Sequence, residues 1–421
     1  MKQIILQQLQ ERNDLLGRPY IDRDIHLDRK VWLQNPMIKL ITGPRRVGKS
    51  TFALLLLRQE NFAYLNFDDA LLLQKWDEET VMHVLDEVYP GYDYLMLDEV
   101  QNLPHWDLWV SKLYRRGKNL VITGSNANML SSEMATVLTG RYMPIPMLPF
   151  SLTEWMTWNC QRKSEGTALS EAQVRLLEDD YLHNGGYPET LEARSITANY
   201  LGTLYEAMIW KDVAQRHKVR NITDLSNLAN YLLSNFCNPF TANELAESLH
   251  MSSVTTVRKF MGYLHEPFLF YYLPRYNNKL KLMKRAAQKV YVVDNGFVQA
   301  KGFNLSEGLG RLLENQVFVE LIRQGYDTEC TLFYYRSRND KETDFVTRQG
   351  TRIEQLIQVC YDLSNTKTLK REVDSLLECA QELHCENLLI VTDHESRTLE
   401  QGGHVIRIVT FSEFSHPNQL T

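Results

Sequence analysis

Eight consecutive residues constrain this chain more than any other stretch: Gly43-Pro44-Arg45-Arg46-Val47-Gly48-Lys49-Ser50, with Thr51 next. They fit G-x-x-x-x-G-K-[ST], the phosphate loop, which needs a strand before it and a helix behind it. IKLIT precedes and TFALLLL follows. Glycine lets backbone N–H groups approach phosphate oxygens, and the helix that follows adds the positive end of its dipole. Residues 43–51 are therefore expected to cradle nucleotide phosphates. Lys49 should reach the β- and γ-phosphates, and the Ser50 hydroxyl should hold Mg²⁺.

Hydrolysis also needs a carboxylate on the Mg²⁺ side and a group that positions water. Tyr94-Leu95-Met96-Leu97-Asp98-Glu99 supplies both at the end of an apolar run. Asp98 is expected to orient Mg²⁺ through water, and Glu99 to act as general base. A small-molecule kinase would not need that Glu. Further strands read at 38–42, 63–67, 120–123 and 143–147, alternating with helical stretches. That alternation predicts a parallel α/β sheet. Ser125 and Asn126, after the 120–123 strand, are either ordinary turn residues or polar contacts to the γ-phosphate and its water. Arg141 is either a surface ion-pair residue or an arginine finger reaching a neighbouring subunit. The second reading implies a homo-oligomer.

Composition narrows the rest. The 421 residues predict about three domains. No apolar run approaches the roughly 20 residues that cross a bilayer, so no membrane role is expected. Six cysteines without a C-x-x-C pair fit reduced thiols and a cytoplasmic protein. The net charge of −6 leaves any nucleic-acid surface local. Such a surface is expected over 252–289. There a helix carrying Ser252, Ser253, Thr255, Thr256, Arg258 and Lys259 precedes six basic residues at 275, 279, 281, 284, 285 and 289. These features suit a recognition helix and phosphate contacts to DNA. Residues 151–235 read as mostly helical. Residues 288–297 and 331–361 read as strands, with a helix near 366–384 and a strand at 387–392.

Taken together, GPRRVGKS, YLNFDD (64–69), LDEVQNLPHW (97–106), ITGSN (122–126), LTGRY (138–142), LPFSLTEW (148–155), GGYPE (185–189), LLENQVFVEL (312–321) and ETDFV (342–346) carry a resemblance that spans nearly the whole chain. The sequence resembles the AAA-type P-loop ATPases of bacteria and archaea that carry a C-terminal domain of unknown function with a restriction-endonuclease-like core. The resemblance implies an α/β fold in four parts: a P-loop ATPase domain (1–150), a helical segment (151–235), a winged-helix-like segment (236–297) and an endonuclease-like α/β domain (298–421). It also implies ATP with Mg²⁺. It matches Asp98 and Glu99 to the Walker B pair, Ser125 to the sensor and Arg141 to the arginine finger.

Endonucleases of that class place an acid on a helix, an Asp on one strand and (D/E)-x-K on the next. Glu314 and Asp344 fit the first two. Gln358 stands where the second strand's acid belongs and Cys360 where its Lys belongs. A neutral amide binds Mg²⁺ weakly, and a thiol cannot replace an ammonium. The core therefore reads as degenerate, with Lys367 or Lys370 as the residues able to supply the missing cation. The leading expectation is a Mg²⁺-dependent ATPase coupled to a nucleic-acid- or partner-binding module. The rivals are an ATP-stimulated DNA nuclease and a nucleotide-gated protein scaffold.

Overall fold

Ile38–Thr42 (β1) is buried along its whole length, as a strand is inside a sheet covered on both faces. The computed structural model describes residues 1–416 except 19, 26, 128–137, 139, 163–169, 192–193, 284–285 and 303–307. It divides into two compact units, 1–148 with 266–268, and 149–265 with 269–421.

The first unit begins with helix α1 (Lys2–Leu16). After β1 come α2 (Lys49–Leu57), β2 (Phe62–Asn66), α3 (Glu78–Val88), β3 (Tyr94–Asp98), α4 (Trp106–Arg115), β4 (Asn119–Gly124) and β5 (Tyr142–Pro146). The five strands form one parallel sheet in the order β2-β3-β4-β1-β5. Parallel neighbours put every strand's C-terminal end on one edge. Thr42, Asp98 and Gly124 therefore end side by side on β1, β3 and β4, where ligands of open α/β sheets sit. At the outer strand β2, Gln8 of α1 pairs with the Asn66 backbone through both its amide groups, at 3.0 and 3.2 Å. That helix thus caps the strand end as well as burying Ile4 and Ile5.

The second unit opens with helices α5 (Leu152–Arg162), α6 (Glu171–Asn184), α7 (Thr197–Ala207) and α8 (Ile222–Ser234). A π-helical stretch, Met208–Gln215, follows α7. Then come β6 (Pro239–Phe240), α9 (Ala242–Ser248), α10 (Val254–His265), β7 (Phe270–Pro274) and β8 (Gln288–Val292). These three strands form an antiparallel sheet, β6-β8-β7. The expected strand over 288–297 stops early, because Asp294 caps a helix, α11 (Asn295–Lys301). Beyond it lie α12 (Leu309–Arg323), β9 (Leu332–Arg336), β10 (Glu342–Gln349), β11 (Arg352–Val359), α13 (Thr366–Leu383), β12 (Leu388–Thr392), β13 (Arg397–Gln401) and β14 (His404–Thr410). The last six strands make a mixed sheet, β13-β14-β12-β11-β10-β9.

Buried polar groups fix how this unit closes. Asp294 accepts from Gly186 N and Gly296 N, each at 2.8 Å. Gly185 sits at φ +69°, and a Cβ there would fall 1.8 Å from the Asp294 carboxylate, so the approach requires glycine. Asn315 on α12 bonds both the N–H and C=O of Val292 at 2.9 Å, and the Asn295 side chain at 2.9 Å. The GGYPE and LLENQVFVEL motifs thus hold the fold here.

Burial raises the Asp294 carboxyl to about 6 against those backbone bonds. Folding therefore takes up a proton between the ordinary carboxyl value and about pH 6. The stabilisation is fully present below about pH 4, is lost as pH rises through 6, and is flat above. In urea unfolding, the stability of the native chain minus that of Asp294→Asn should fall from pH 4 to pH 7 by on the order of 3 kcal/mol at most.

Candidate nucleotide site

Between β1 and α2 the chain turns through Gly43 (φ +151°), Arg46 (φ +66°) and Gly48 (φ +90°). Gly43 has no space for a side chain, because a Cβ would lie 2.0 Å from Met147 O. Gly48, the residue before α2, has no side chain to cap the helix's first N–H groups. Unsatisfied N–H groups at a helix start are an anion site.

Two of the expected residues, Ser50 and Asp98, meet under this loop. Ser50 Oγ donates to Asp98 Oδ1 at 2.7 Å. Thr123 Oγ1 donates to the same oxygen, and Tyr64 OH donates to Oδ2 at 3.2 Å. Burial, with Glu99 next to it, raises the Asp98 carboxyl to about 6, and the hydroxyl bonds and Lys49 only partly offset this.

Glu99 stands one residue beyond the strand in a left-handed conformation, φ +51°. Such a backbone costs a non-glycine residue roughly 1–2 kcal/mol. It lets the Glu99 N–H bond Thr123 Oγ1 at 2.9 Å while the side chain turns toward the loop. Lys49 Nζ lies 3.3 Å from Glu99 Oε1 and donates to Pro44 O at 2.9 Å. Ser125 Oγ donates to Glu99 Oε2 at 2.9 Å, and Gln101 Nε2 donates to that oxygen as well. Burial pushes the Glu99 carboxyl up, but Lys49, the Gln101 bond, Arg45 and Ser125 outweigh it and hold it at about 2.

The site contains polar groups that a ligand would complete. Thr42 Oγ1 and Gln101 Oε1 are buried without a hydrogen-bond partner among the described residues. The donor set of a loop ammonium, a helix start, a hydroxyl and a buried carboxylate fits a nucleotide phosphate with Mg²⁺. Asn126 is buried beside Ser125.

This geometry agrees with what the chain is similar to. Residues 35–156 match the AAA domain, 176–307 a domain of unknown function (DUF8612) and 309–411 another (DUF4143). An uncharacterized protein of Methanocaldococcus jannaschii is 30% identical over 408 residues, covering 93% of this chain and 91% of its own. The chain belongs to the family of that archaeal protein. An uncharacterized protein of Haemophilus influenzae is 28% identical over 416 residues, covering 94% and 99%. Among solved structures, the Walker-type ATPase of Pyrococcus abyssi covers 68% of this chain and 99% of its own, with 14% identity and a TM-score of 0.45. Among the described residues, no helix is long and apolar enough to cross a membrane.

Other expected residues of this AAA-domain protein lie apart from the loop. Arg141 is exposed and precedes β5, whose first pairing is Tyr142 with Ile38. Its C=O accepts from Ile38 N at 2.9 Å, and its guanidinium lies 5.8 Å from the Tyr114 ring centroid. It sits at the sheet edge opposite the phosphate loop, about 13 Å away along β1. Arg141 is therefore not part of its own subunit's site.

The expected basic surface changes most. Lys289 is buried and bonded to Glu314 and Asp344, so it is no surface residue. Arg275 Nη2 donates to Arg336 O at 2.7 Å. Lys279 and Lys281 are exposed, and 284 and 285 lie outside the described residues. Lys289 also corrects the expectation for Lys367 and Lys370, which are exposed near the start of α13. The ammonium that reaches Glu314 and Asp344 comes from β8. Gln358 Nε2 donates to Glu372 at 2.9 Å, and Cys360 Sγ to Asp362 O at 3.4 Å. Burial pushes the Cys360 thiol up to about 11.

Sequence reasoning missed Thr123, Tyr64, Gln101 and Arg23. Thr123 carried a signal, a hydroxyl closing an apolar strand. Arg23 carried none, since it comes from an irregular segment. Its guanidinium donates to Val47 O at 2.7 Å and to Leu148 O at 2.6 Å, which ties the phosphate loop to the chain leaving β5. Arg23→Ala should weaken binding of Mg²⁺·ATP roughly tenfold, the cost of losing charge-assisted bonds that shape the loop. Titration with a fluorescent ATP analogue measures this.

Proposed function

We propose that this protein binds ATP with Mg²⁺ and hydrolyses it, and that its nucleotide state controls a nucleic-acid- or partner-binding C-terminal region. The observation that carries the first part is the Lys49–Glu99 ion pair beside the Ser50–Asp98 hydrogen bond. Without nucleotide, Lys49 is shared between Pro44 O and Glu99. A triphosphate offers that ammonium a stronger partner. As Lys49 turns to the phosphates, Glu99 loses the charge that holds its carboxyl low and becomes a better base. Ser125 and Gln101 keep the carboxylate aimed while Glu99 takes the proton of the attacking water. Mg²⁺, held by Ser50 and by Asp98 through water, would neutralise charge developing on the phosphates.

The binding role is read from unit two. Helix α10 buries Val257, Phe260, Met261 and Leu264 and exposes Thr255, Arg258 and Lys259. A helix anchored by one face with hydroxyls and cations on the other suits a nucleic-acid groove. We read 236–297 as winged-helix-like and 298–421 as a degenerate endonuclease-like core. A nucleotide-gated scaffold that binds protein is the second reading, favoured by the loss of Lys289 from the basic surface. ATP turnover measured with and without single- and double-stranded DNA separates the two. Stimulation by DNA supports the first reading.

Lys49→Ala should abolish ATP binding in a calorimetric titration. Glu99→Gln should bind ATP and lose roughly 10²–10⁴ in turnover, because it keeps the side chain's shape but cannot accept a proton. Turnover within tenfold of native would exclude Glu99 as base. Arg141 can reach a nucleotide only across a subunit interface. Mixing Arg141→Ala with Lys49→Ala subunits should therefore restore turnover, since a finger is worth roughly 10³–10⁵ in rate. No rescue at any protein concentration would leave Arg141 a structural role.

A further inference from the structure

Lys289 lies on β8, the middle strand of the three-stranded sheet, and its side chain is 2% exposed. Its Nζ is 2.9 Å from Glu314 Oε1, 2.8 Å from Glu342 Oε1 and 3.0 Å from Asp344 Oδ1. An ammonium has three N–H donors and accepts nothing. Three carboxylates, one from α12 and two from β10, therefore use all of them.

Other donors also reach these three carboxylates. Tyr291 OH donates to Glu314 Oε1 at 2.6 Å, Arg336 lies 3.3 Å from Glu342 Oε2, and Val359 N donates to Asp344 Oδ2 at 3.0 Å. Oxygen ligands converging from separate elements on one point are what hard divalent cations require. Here the point is filled. Among the described residues, no group of three or more His, Cys, Asp or Glu is placed to hold a metal ion.

We propose that Lys289 is the built-in cation of this carboxylate site: a tethered ammonium stands where a divalent metal would otherwise sit. It supplies the charge that lets Glu314 and Asp344 be largely buried, with the half-buried Glu342 beside them, which unpaired carboxylates resist strongly. It brings no bound water of lowered pKa, so it cannot generate the hydroxide that a metal would. The site thus holds the helix and the sheets together and takes no part in metal-dependent cleavage. The inference rests on the ion cluster alone and stands or falls separately from the ATPase reading.

The spacing also makes it testable by substitution. The N–O distances of 2.8–3.0 Å exceed divalent metal–oxygen distances of about 2.0–2.6 Å. Each carboxylate would have to move by less than about 1 Å to ligate a metal placed at the vacated point. Full-length, nucleotide-free protein is titrated with Mn²⁺ and followed by electron paramagnetic resonance and thermal unfolding. The native chain should show no bound Mn²⁺ that Asp344→Asn removes, and EDTA should leave its melting unchanged. Lys289→Ala should bind one additional Mn²⁺, and its Tm should rise by roughly 3–5 °C at a hundredfold excess over Kd. Adding Asp344→Asn to that variant should remove both effects.

Lys289→Gln serves in parallel. If either variant is insoluble, Mn²⁺ in the refolding buffer should restore soluble protein. Asp344-dependent Mn²⁺ binding by the native chain would overturn the proposal. So would Lys289 variants that neither gain Mn²⁺ affinity nor are rescued by it.

Discussion

Asp98 has to be buried for the phosphate loop to have anything to close over. A carboxylate in that position is unstable by itself, and burial raises it to about 6. Each neighbouring feature reduces that cost. Thr123 and Ser50 donate hydroxyls to one oxygen and Tyr64 to the other. The parallel sheet makes this possible, since β1, β3 and β4 end at one edge. The loop, the acid and the strand-end hydroxyls then fall within bonding distance although they are dispersed along the chain. The left-handed backbone at Glu99 follows from the same demand. Its N–H must reach Thr123 while its carboxylate turns back to Lys49.

Unit two is organised by buried polar groups of a different kind. Asp294, Asn295 and Asn315 bond backbone atoms at helix and strand ends. Each replaces a hydrogen bond that water would otherwise make. A buried backbone group left unpaired would cost about as much as a lost hydrogen bond. These residues therefore select one arrangement of helices around the sheets, and the glycines at 185 and 186 are there because a side chain would collide.

The candidate nucleotide site was legible because its chemistry is local. Residues 43–51 carry loop, charge and helix start in one run, and Asp98-Glu99 follow an apolar strand whose direction fixes where they point. The parallel sheet was legible for the same reason, from alternating short runs. What escaped was whatever depends on contacts between distant segments. Arg23 reaches the loop from an irregular stretch with no periodicity. Lys289 looked like one of six clustered cations, and only tertiary structure shows that it faces inward. A signal was present even so. Lys289 sits in QKVYV, a strand otherwise rich in apolar residues, and a lone charge in such a run has to find a partner inside. The expected strand through 297 failed because Asp294-Asn295-Gly296 is helix-cap chemistry placed directly after a strand.

Both units thus bury a lysine against carboxylates, and the difference between the two decides what each can do. Lys49 sits at the start of a helix beneath a glycine-bearing loop. It is bonded to one carboxylate and one backbone carbonyl, so a stronger anion can recruit it by breaking a single ion pair. Lys289 is on a central strand with three carboxylates on its three N–H groups. Releasing it would leave the largely buried Glu314 and Asp344 carboxylates without their cation, and no incoming anion compensates for that. The first lysine is therefore placed to respond to an incoming anion, whereas the second is locked into its carboxylates. The same pair of residue types supplies a responsive site in one unit and a fixed one in the other, and the number of partners on the ammonium sets which.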